Sequence, residues 1–190
     1  MKDLNDLKKT DLLGVCLILA KSDSKRLPSK NTIDFNGKPM FMNNVLKCLK
    51  IFDKVIVSSD SVDILRTATD AGAIGRMRGV DLCGDIPNIP VYQQALKLMD
   101  YDYVVAVQAN SPTIEPGLIK FAKYIMELGF NEMMTCHKDN SIYGSIWALS
   151  KDKLKNYKDY YNPKPEVLVV DESVDIHTQA DLELCLKESC

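Results

Sequence analysis

Apolar and polar residues fall in blocks along this chain, and the blocks change period in a regular order. Val15 to Leu19 is an unbroken apolar run, the pattern of a strand buried on both faces. Asp34 to Pro39 reads as a turn with Asn36-Gly37 at its tightest point. Met40 to Leu49 then spaces Phe41, Val45 and Leu49 four apart, which predicts a helix. Lys54 to Asp60 predicts a second buried strand, and Ser61 suits the cap of a helix over Val62–Ala71 that Gly72 ends. A short third strand is expected over Ala73–Met77, a loop over Arg78–Pro90 and a helix over Val91–Met99. Tyr103–Gln108 predicts a fourth strand, with Ala109–Pro112 as the loop beyond its carboxyl end. Pro116 fits the first turn of a helix that runs to about Leu128 and is closed by Gly129. Glu132–Cys136 and Ile142–Leu149 predict strands paired across Asp139-Asn140. A helix from Lys151, a strand over Glu166–Val170 and a helix over Gln179–Lys187 capped by Thr178 follow. Strands and helices alternating in this way imply an α/β fold, a three-layer α/β/α sandwich with a mostly parallel, Rossmann-like sheet.

Composition narrows the partners. With 190 residues, one domain over 1–190 is expected, its first residues, 1–12, forming a charged extension. The net charge of −2 supplies no global field for nucleic acid, so any anion site must be local. No apolar run approaches the roughly 20 residues that span a bilayer, and Met1 to Asp11 lacks the apolar core of a signal peptide. Cysteines at 16, 48, 83, 136, 185 and 190 form no CxxC pair and read as small core residues or free thiols. With His137 and His177 as the two histidines, a zinc site is not expected, and the compartment read from these features is a reducing cytoplasm.

The candidate chemistry gathers behind the first strand. Lys21, Lys25, Arg26 and Lys30 alternate there with Ser22, Ser24 and Ser29, and Pro28 restricts the backbone between them. A loop at the carboxyl end of the first strand is where open α/β sheets bind ligands. Four cations with three hydroxyls suit a polyanion, and a nucleoside triphosphate is the obvious small one. The chain holds neither G-x-x-x-x-G-K-[ST] nor G-x-G-x-x-G after the first strand, so a phosphate site must be built from cationic side chains and loop backbone. G-x-S-x-G is also absent. Asp60 reads either as a cap or turn residue or as a ligand. Tyr157, Tyr160 and Tyr161 beside Lys158 and Lys164 read as base-stacking or as packing of a helix end, and Met133 and Met134 as core.

The stretch Ala20-Lys-Ser-Asp-Ser-Lys-Arg-Leu-Pro-Ser-Lys-Asn31 resembles the A-R-x-G-S-K-R-x-P-x-K-N signature of the acylneuraminate (sialic acid) cytidylyltransferase family, relatives of the Kdo cytidylyltransferases. Gly37-Lys-Pro-Met40 is similar to that family's G-x-P-L, and Phe52 to Asp60 to its F-D-x-V-I-V-S-T-D. Arg78 followed by Leu82 and Asp85 resembles R-P…L-A-x-D. Val107 to Pro112 resembles L-Q-P-T-S-P, and Val174 to Leu182 resembles I-D-I-D-T-x-x-D-L. The segments keep the family's order from residue 15 to 186.

The resemblance implies a nucleotide-diphospho-sugar transferase-like fold and transfer of CMP from CTP to an acid sugar, in which a 2-keto acid's anomeric hydroxyl attacks the α-phosphate and pyrophosphate leaves. It implies nucleotide binding by Ala20, Lys21, Ser24, Lys25, Arg26, Lys30, Asn31, Arg78 and Asp85, with Asn31 and Arg78 near the cytidine. Gln108 and Ser111 would face the sugar. Lys21, Lys30 and Asp175 would be catalytic, and Asp175 with His177 would hold Mg²⁺, or Mn²⁺ in its place. Three positions depart from the pattern: Lys21 replaces an arginine, Asp23 a glycine and His177 the second metal-binding aspartate. Between Cys136 and Ser145 the family has a long insertion that reaches a neighbouring subunit; only about eight residues join the strands here, so a homodimer would lack that arm. The alternative is a non-catalytic nucleotide-binding or assembly subunit descended from the same family.

Overall fold

The computed structural model describes residues 11–188, so residues 1–10 of the expected extension and Cys190 lie outside the described range. The elements run β1 (Gly14–Leu19), α1 (Met40–Leu49), β2 (Val55–Ser59), α2 (Val62–Asp70), β3 (Ile74–Met77) and α3 (Asn88–Leu96). They continue with β4 (Tyr103–Gln108), α4 (Pro116–Glu127), β5 (Glu132–Cys136), β6 (Ile142–Ser150), α5 (Lys151–Lys155), β7 (Val167–Val170) and α6 (Gln179–Glu188). The blocks of the sequence therefore reappear as elements, with one helix displaced. Helix α3 runs over Asn88–Leu96 and not over Val91–Met99. Pro90 lies in its first turn, where the missing N–H removes no intrahelical bond, so a proline read as loop punctuation sits inside the helix.

The strands form one sheet in the order β3-β2-β1-β4-β6-β5-β7. β1–β2, β2–β3, β1–β4 and β5–β7 pair in parallel, and only β6 runs antiparallel to its neighbours β4 and β5. Asn140 supplies the sharp turn into β6 with a left-handed φ of 64°. From β1 the chain steps outward through β2 to β3 and then returns to lay β4 on the other side of β1. Leu19 and Gln108 thus lie side by side at the carboxyl ends of β1 and β4, at the reversal of strand order where such sheets open a crevice.

Alternate strand residues feed two cores, one on each face. Ile18 and Val105 pack with Phe41 and Val45 of α1 and Ile119 and Ala122 of α4. Leu17, Val104 and Trp147 pack with Ile89 and Tyr92 of α3 and Leu154 of α5. Met133 and Met134 are buried on opposite faces, as expected of core residues. A third, smaller cluster joins Leu27, Phe35 and Met40 to Ile176, Leu182 and Cys185. Burial of each large apolar side chain is worth about 1.5–3 kcal/mol, and here it presses the basic loop against the segment before α6. The turn that leads into α1 is the tight one expected: Asn36 and Gly37 have φ of 56° and 80°, and the Phe35 N–H donates to the Lys38 carbonyl. Among the described residues no helix is long and apolar enough to cross a membrane.

Candidate active site

The basic loop after β1 is held at four points. The Ala20 N–H donates to the Ser58 carbonyl at 3.0 Å, which extends the β1–β2 pairing by one step. The Ser22 N–H and hydroxyl both donate to the Asp60 carboxylate, at 2.7 and 2.8 Å. Leu27 enters the third core cluster. Asn31, itself buried, donates its amide to the Lys21 carbonyl at 2.7 Å. Asp60 is therefore the anchor of the loop, and Ser61 caps α2 through the Ile64 N–H. Burial works against ionisation of Asp60, but the two hydrogen bonds from Ser22 and the nearby Arg78 outweigh it and hold the carboxyl below its usual range.

So fixed, the loop lines a cleft of about 130 Å³ at the carboxyl ends of β1 and β4. Lys21, Ser24, Lys30 and Asn31 come from the loop, Arg78 from the end of β3, and Gln108 and Asn110 from the end of β4. Arg78 is buried. Its guanidinium donates to the Ser58 carbonyl at 3.1 Å, and burial lowers its pKa. Helix α1 holds the β4 loop from below. The buried Asn44 donates to the carbonyls of Gln108 (2.8 Å) and Ser111 (2.9 Å), and Lys47 donates to those of Pro112 and Ile114. The Gln108 backbone is spent on this contact while its side chain remains at the cleft.

Two charged groupings flank the cleft. At the mouth, the Lys25 ammonium lies 2.6 Å and the Lys21 ammonium 3.8 Å from the Asp85 carboxylate. The hydrogen bond between Lys25 and Asp85 pushes the lysine up and the carboxyl down from their ordinary values. At the inner end, Arg26 Nη2 lies 2.7 Å and Lys30 Nζ 3.4 Å from His177 Nδ1, and His177 Nε2 lies 2.5 Å from Asp175 Oδ2. Asn110 donates to the other oxygen of Asp175. Burial lowers the Lys30 pKa, and burial raises that of Asp175 although His177, Lys30 and Arg26 pull the other way. The backbone there is tied by hydrogen bonds. Asp181 accepts from the N–H groups of His177 and Thr178, and Thr178 caps α6 through the Asp181 N–H, as expected.

The donor set can be tested against a divalent cation. Asp175 is the carboxylate of the inner grouping, and no cluster of three or more His, Cys, Asp or Glu side chains occurs among the described residues. A single hard carboxylate suits Mg²⁺, which characteristically shares its octahedral shell among one or two carboxylates, substrate phosphates and water.

A family model described as cytidylyltransferase matches residues 15–167. The chain belongs to the cytidylyltransferase family. A pseudaminic acid cytidylyltransferase of Campylobacter jejuni is 34% identical over 118 residues, covering 57% of this chain and 51% of that relative. The match thus spans about half the length of the Campylobacter relatives. A CMP-N,N'-diacetyllegionaminic acid synthase of Legionella pneumophila is 27% identical, with 91% of this chain and 94% of that protein covered. Among solved structures, a CMP:2-keto-3-deoxy-manno-octonic acid synthetase complexed with CTP superposes with a TM-score of 0.76 over 93% of this chain and 98% of that one. Its sequence identity is 18%. The fold is thus the nucleotide-diphospho-sugar transferase-like sandwich.

On this cytidylyltransferase fold the sequence-predicted residues fall into three groups. Lys21, Ser24, Lys30, Asn31, Arg78 and Gln108 line the cleft, with Lys25 and Asp85 at its mouth. Arg26, Asp175 and His177 meet at the inner end although 151 positions separate Arg26 from His177. Ala20 and Ser111 are set back: both are buried, the Ala20 N–H is spent on Ser58, and the Ser111 carbonyl is taken by Asn44. Asn110 reaches the cleft beside Gln108, and sequence reasoning passed over it. Its signal was a polar side chain inside the matched segment Val107-Gln-Ala-Asn-Ser-Pro112. Of the aromatic group near α5, Tyr157 and Tyr160 pack against the core while Tyr161 is exposed; Tyr157 lies edge-on to Trp147 and donates its hydroxyl to the buried Glu132 at 2.6 Å.

Proposed function

We propose that this chain transfers CMP from CTP to the anomeric hydroxyl of a sialic-acid-like 2-keto acid sugar. The hydroxyl oxygen bonds to the α-phosphorus and gives its proton to solvent, the bond from that phosphorus to the oxygen bridging the β-phosphate breaks, and pyrophosphate leaves with the electron pair. Negative charge grows on the α-phosphate and on the leaving group, so preset cations lower the barrier. The observation that carries this reading is the placing of Lys21, Lys25 and Lys30 around one cleft at the strand-order reversal, with Arg26 behind them. Lys21 and Lys25 reach where the outer phosphates would lie, and Lys30 reaches towards the α-phosphate side, next to Asp175. Asn31 and Arg78 face the cytidine side, and Gln108 offers an amide that can donate to and accept from the sugar.

Mg²⁺, with Mn²⁺ as a substitute, is the proposed cofactor, held by Asp175; when bound it neutralises charge on the phosphate oxygens. The acceptor is read from relatives whose names specify pseudaminic, diacetyllegionaminic and 3-deoxy-manno-octulosonic acids. The five described cysteines are free thiols, in keeping with a reducing cytoplasm. A homodimer would have to form without the family's arm, because residues 137–141 make only a tight turn between β5 and β6.

The test is pyrophosphate release from each of the four nucleoside triphosphates, with Mg²⁺ or Mn²⁺, across a panel of acid sugars. Release that requires both CTP and one acceptor is the expected result. CTP binding by calorimetry without turnover would favour a nucleotide-binding subunit instead. That reading draws on Asp85, whose carboxylate already occupies the cations of the mouth.

A further inference from the structure

We infer that His177 does not ligate the divalent cation but is a positioning residue, one that donates a hydrogen bond to the carboxylate of Asp175 while Arg26 fixes its tautomer. The inference rests on the proposed metal role of Asp175 and follows from which groups can donate. Arg26 Nη2 lies 2.7 Å from His177 Nδ1, and a guanidinium carries donors only and is not deprotonated in proteins. Nδ1 must therefore present its lone pair to Arg26. Lys30 Nζ, at 3.4 Å from the same atom, is a second donor on the same side. In the neutral ring the proton then belongs to Nε2, which points at Asp175 Oδ2 from 2.5 Å. A metal binds imidazole through a nitrogen without a proton. One ring nitrogen has its lone pair engaged by a guanidinium and the other carries hydrogen, so neither is left for a cation.

The same contacts explain what His177 does. Asp175 Oδ2 faces His177, and Oδ1 accepts from Asn110. Asn110 also donates to the Ile176 carbonyl at 3.3 Å and receives the Ile176 N–H on its own carbonyl at 2.8 Å. The His177 backbone is tied to Asp181. The carboxylate is thus gripped from both sides by donors whose own positions are fixed, and each of its oxygens keeps a lone pair for a cation. Metal sites commonly orient a ligating histidine with a carboxylate. Here the polarity is reversed, and a histidine orients a ligating carboxylate.

The experiment uses the full chain labelled with ¹⁵N-histidine. There are two histidines, so His137→Gln assigns the signals. Long-range proton–nitrogen correlation above neutral pH should show His177 with its proton on Nε2 and an unprotonated Nδ1, unchanged when MgCl₂ is added. A proton on Nδ1, or loss of the Nε2 proton on adding Mg²⁺, would overturn the inference. In a second arm Mn²⁺ binding is followed by calorimetry. A glutamine amide can donate to Asp175 and accept from Arg26, so His177→Gln should bind Mn²⁺ like the parent, whereas His177→Ala should bind about tenfold more weakly. Equal losses in both variants would make His177 a ligand and overturn the inference. If Asp175→Asn leaves Mn²⁺ binding intact, or the parent binds none, the proposed metal role of Asp175 fails, and the nitrogen spectrum alone then decides the tautomer.

Discussion

The mouth of the cleft and its inner end use the same kinds of side chain but hold them differently. At the mouth the side chains of Lys25 and Asp85 are 76% and 68% exposed, and their pairing is a single contact on a loop. At the inner end the side chains of His177 and Asp175 are 33% and 24% exposed, and both hydrogen-bond partners of Asp175, His177 and Asn110, are braced by a further bond. Exposed pairs in high dielectric are cheap to exchange, because water and salt compensate the separated charges. Phosphate oxygens can therefore take the place of Asp85 on Lys25 and Lys21 at little cost. The inner grouping has its charges arranged before any ligand arrives, and preorganisation of that kind is what a transition state rewards. One short loop thus supplies an exchangeable half and a committed half.

The sharpest way to break this comparison is Lys30→Ala. If the inner end is the committed half, turnover should fall about 10²–10³-fold with the circular dichroism spectrum unchanged. Unaltered turnover would remove the loop from the chemistry. Asn110→Ala loosens the grip on Asp175 without touching charge. We expect about tenfold weaker metal activation with a smaller change in kcat at saturating metal. Equal activation curves for variant and parent would show that Asp175 needs no brace. At the mouth the sign should reverse, since Asp85→Asn frees Lys25 and Lys21. Pyrophosphate should bind about threefold tighter, with the gain shrinking as salt is raised. Weaker binding would make Asp85 a ligand in its own right.

The smallest effect concerns stability. Asp60 has its pKa depressed on folding, so its contribution is present above the unfolded value near pH 4 and is lost as pH falls through the folded one. Asp60→Asn should therefore cost about 1 kcal/mol at neutral pH, with the melting curves of variant and parent converging in acid. A constant difference across pH would mean that the Ser22 contact does not depend on the charge of Asp60.

Much of this was legible in the chain because period and punctuation are local properties. The runs Val15–Leu19 and Tyr103–Gln108 announce buried strands, and Ser61 and Thr178 announce helix starts, with no knowledge of the fold. Pro90 misled because a proline in a loop and one in a first helical turn look alike until the preceding capping geometry is known. In the site, the cations of residues 21–30 were visible as a cluster because they are adjacent. The partners of this loop, Asp60, Asp85 and His177, lie 38, 60 and 151 positions from Ser22, Lys25 and Arg26, and pairing at that range is decided by packing. Leu27 and Ile176 do that packing, and nothing in either apolar residue points to the other. Asn110 stayed hidden for the same reason, since its role depends on Asp175 being 65 residues away and adjacent in space.

The hold of α1 on the β4 loop has a consequence for how this molecule can change over time. Asn44 and Lys47 secure four successive-region carbonyls, those of Gln108, Ser111, Pro112 and Ile114, from a helix packed in the core. An inserted residue anywhere between those carbonyls would shift some of them off their donors and leave buried polar groups unmatched. Lengthening this loop is thus a poor route to a new specificity. Descendants of this chain have point substitution at Gln108 as the open path, because that side chain lines the cleft while the backbone beneath it stays fixed.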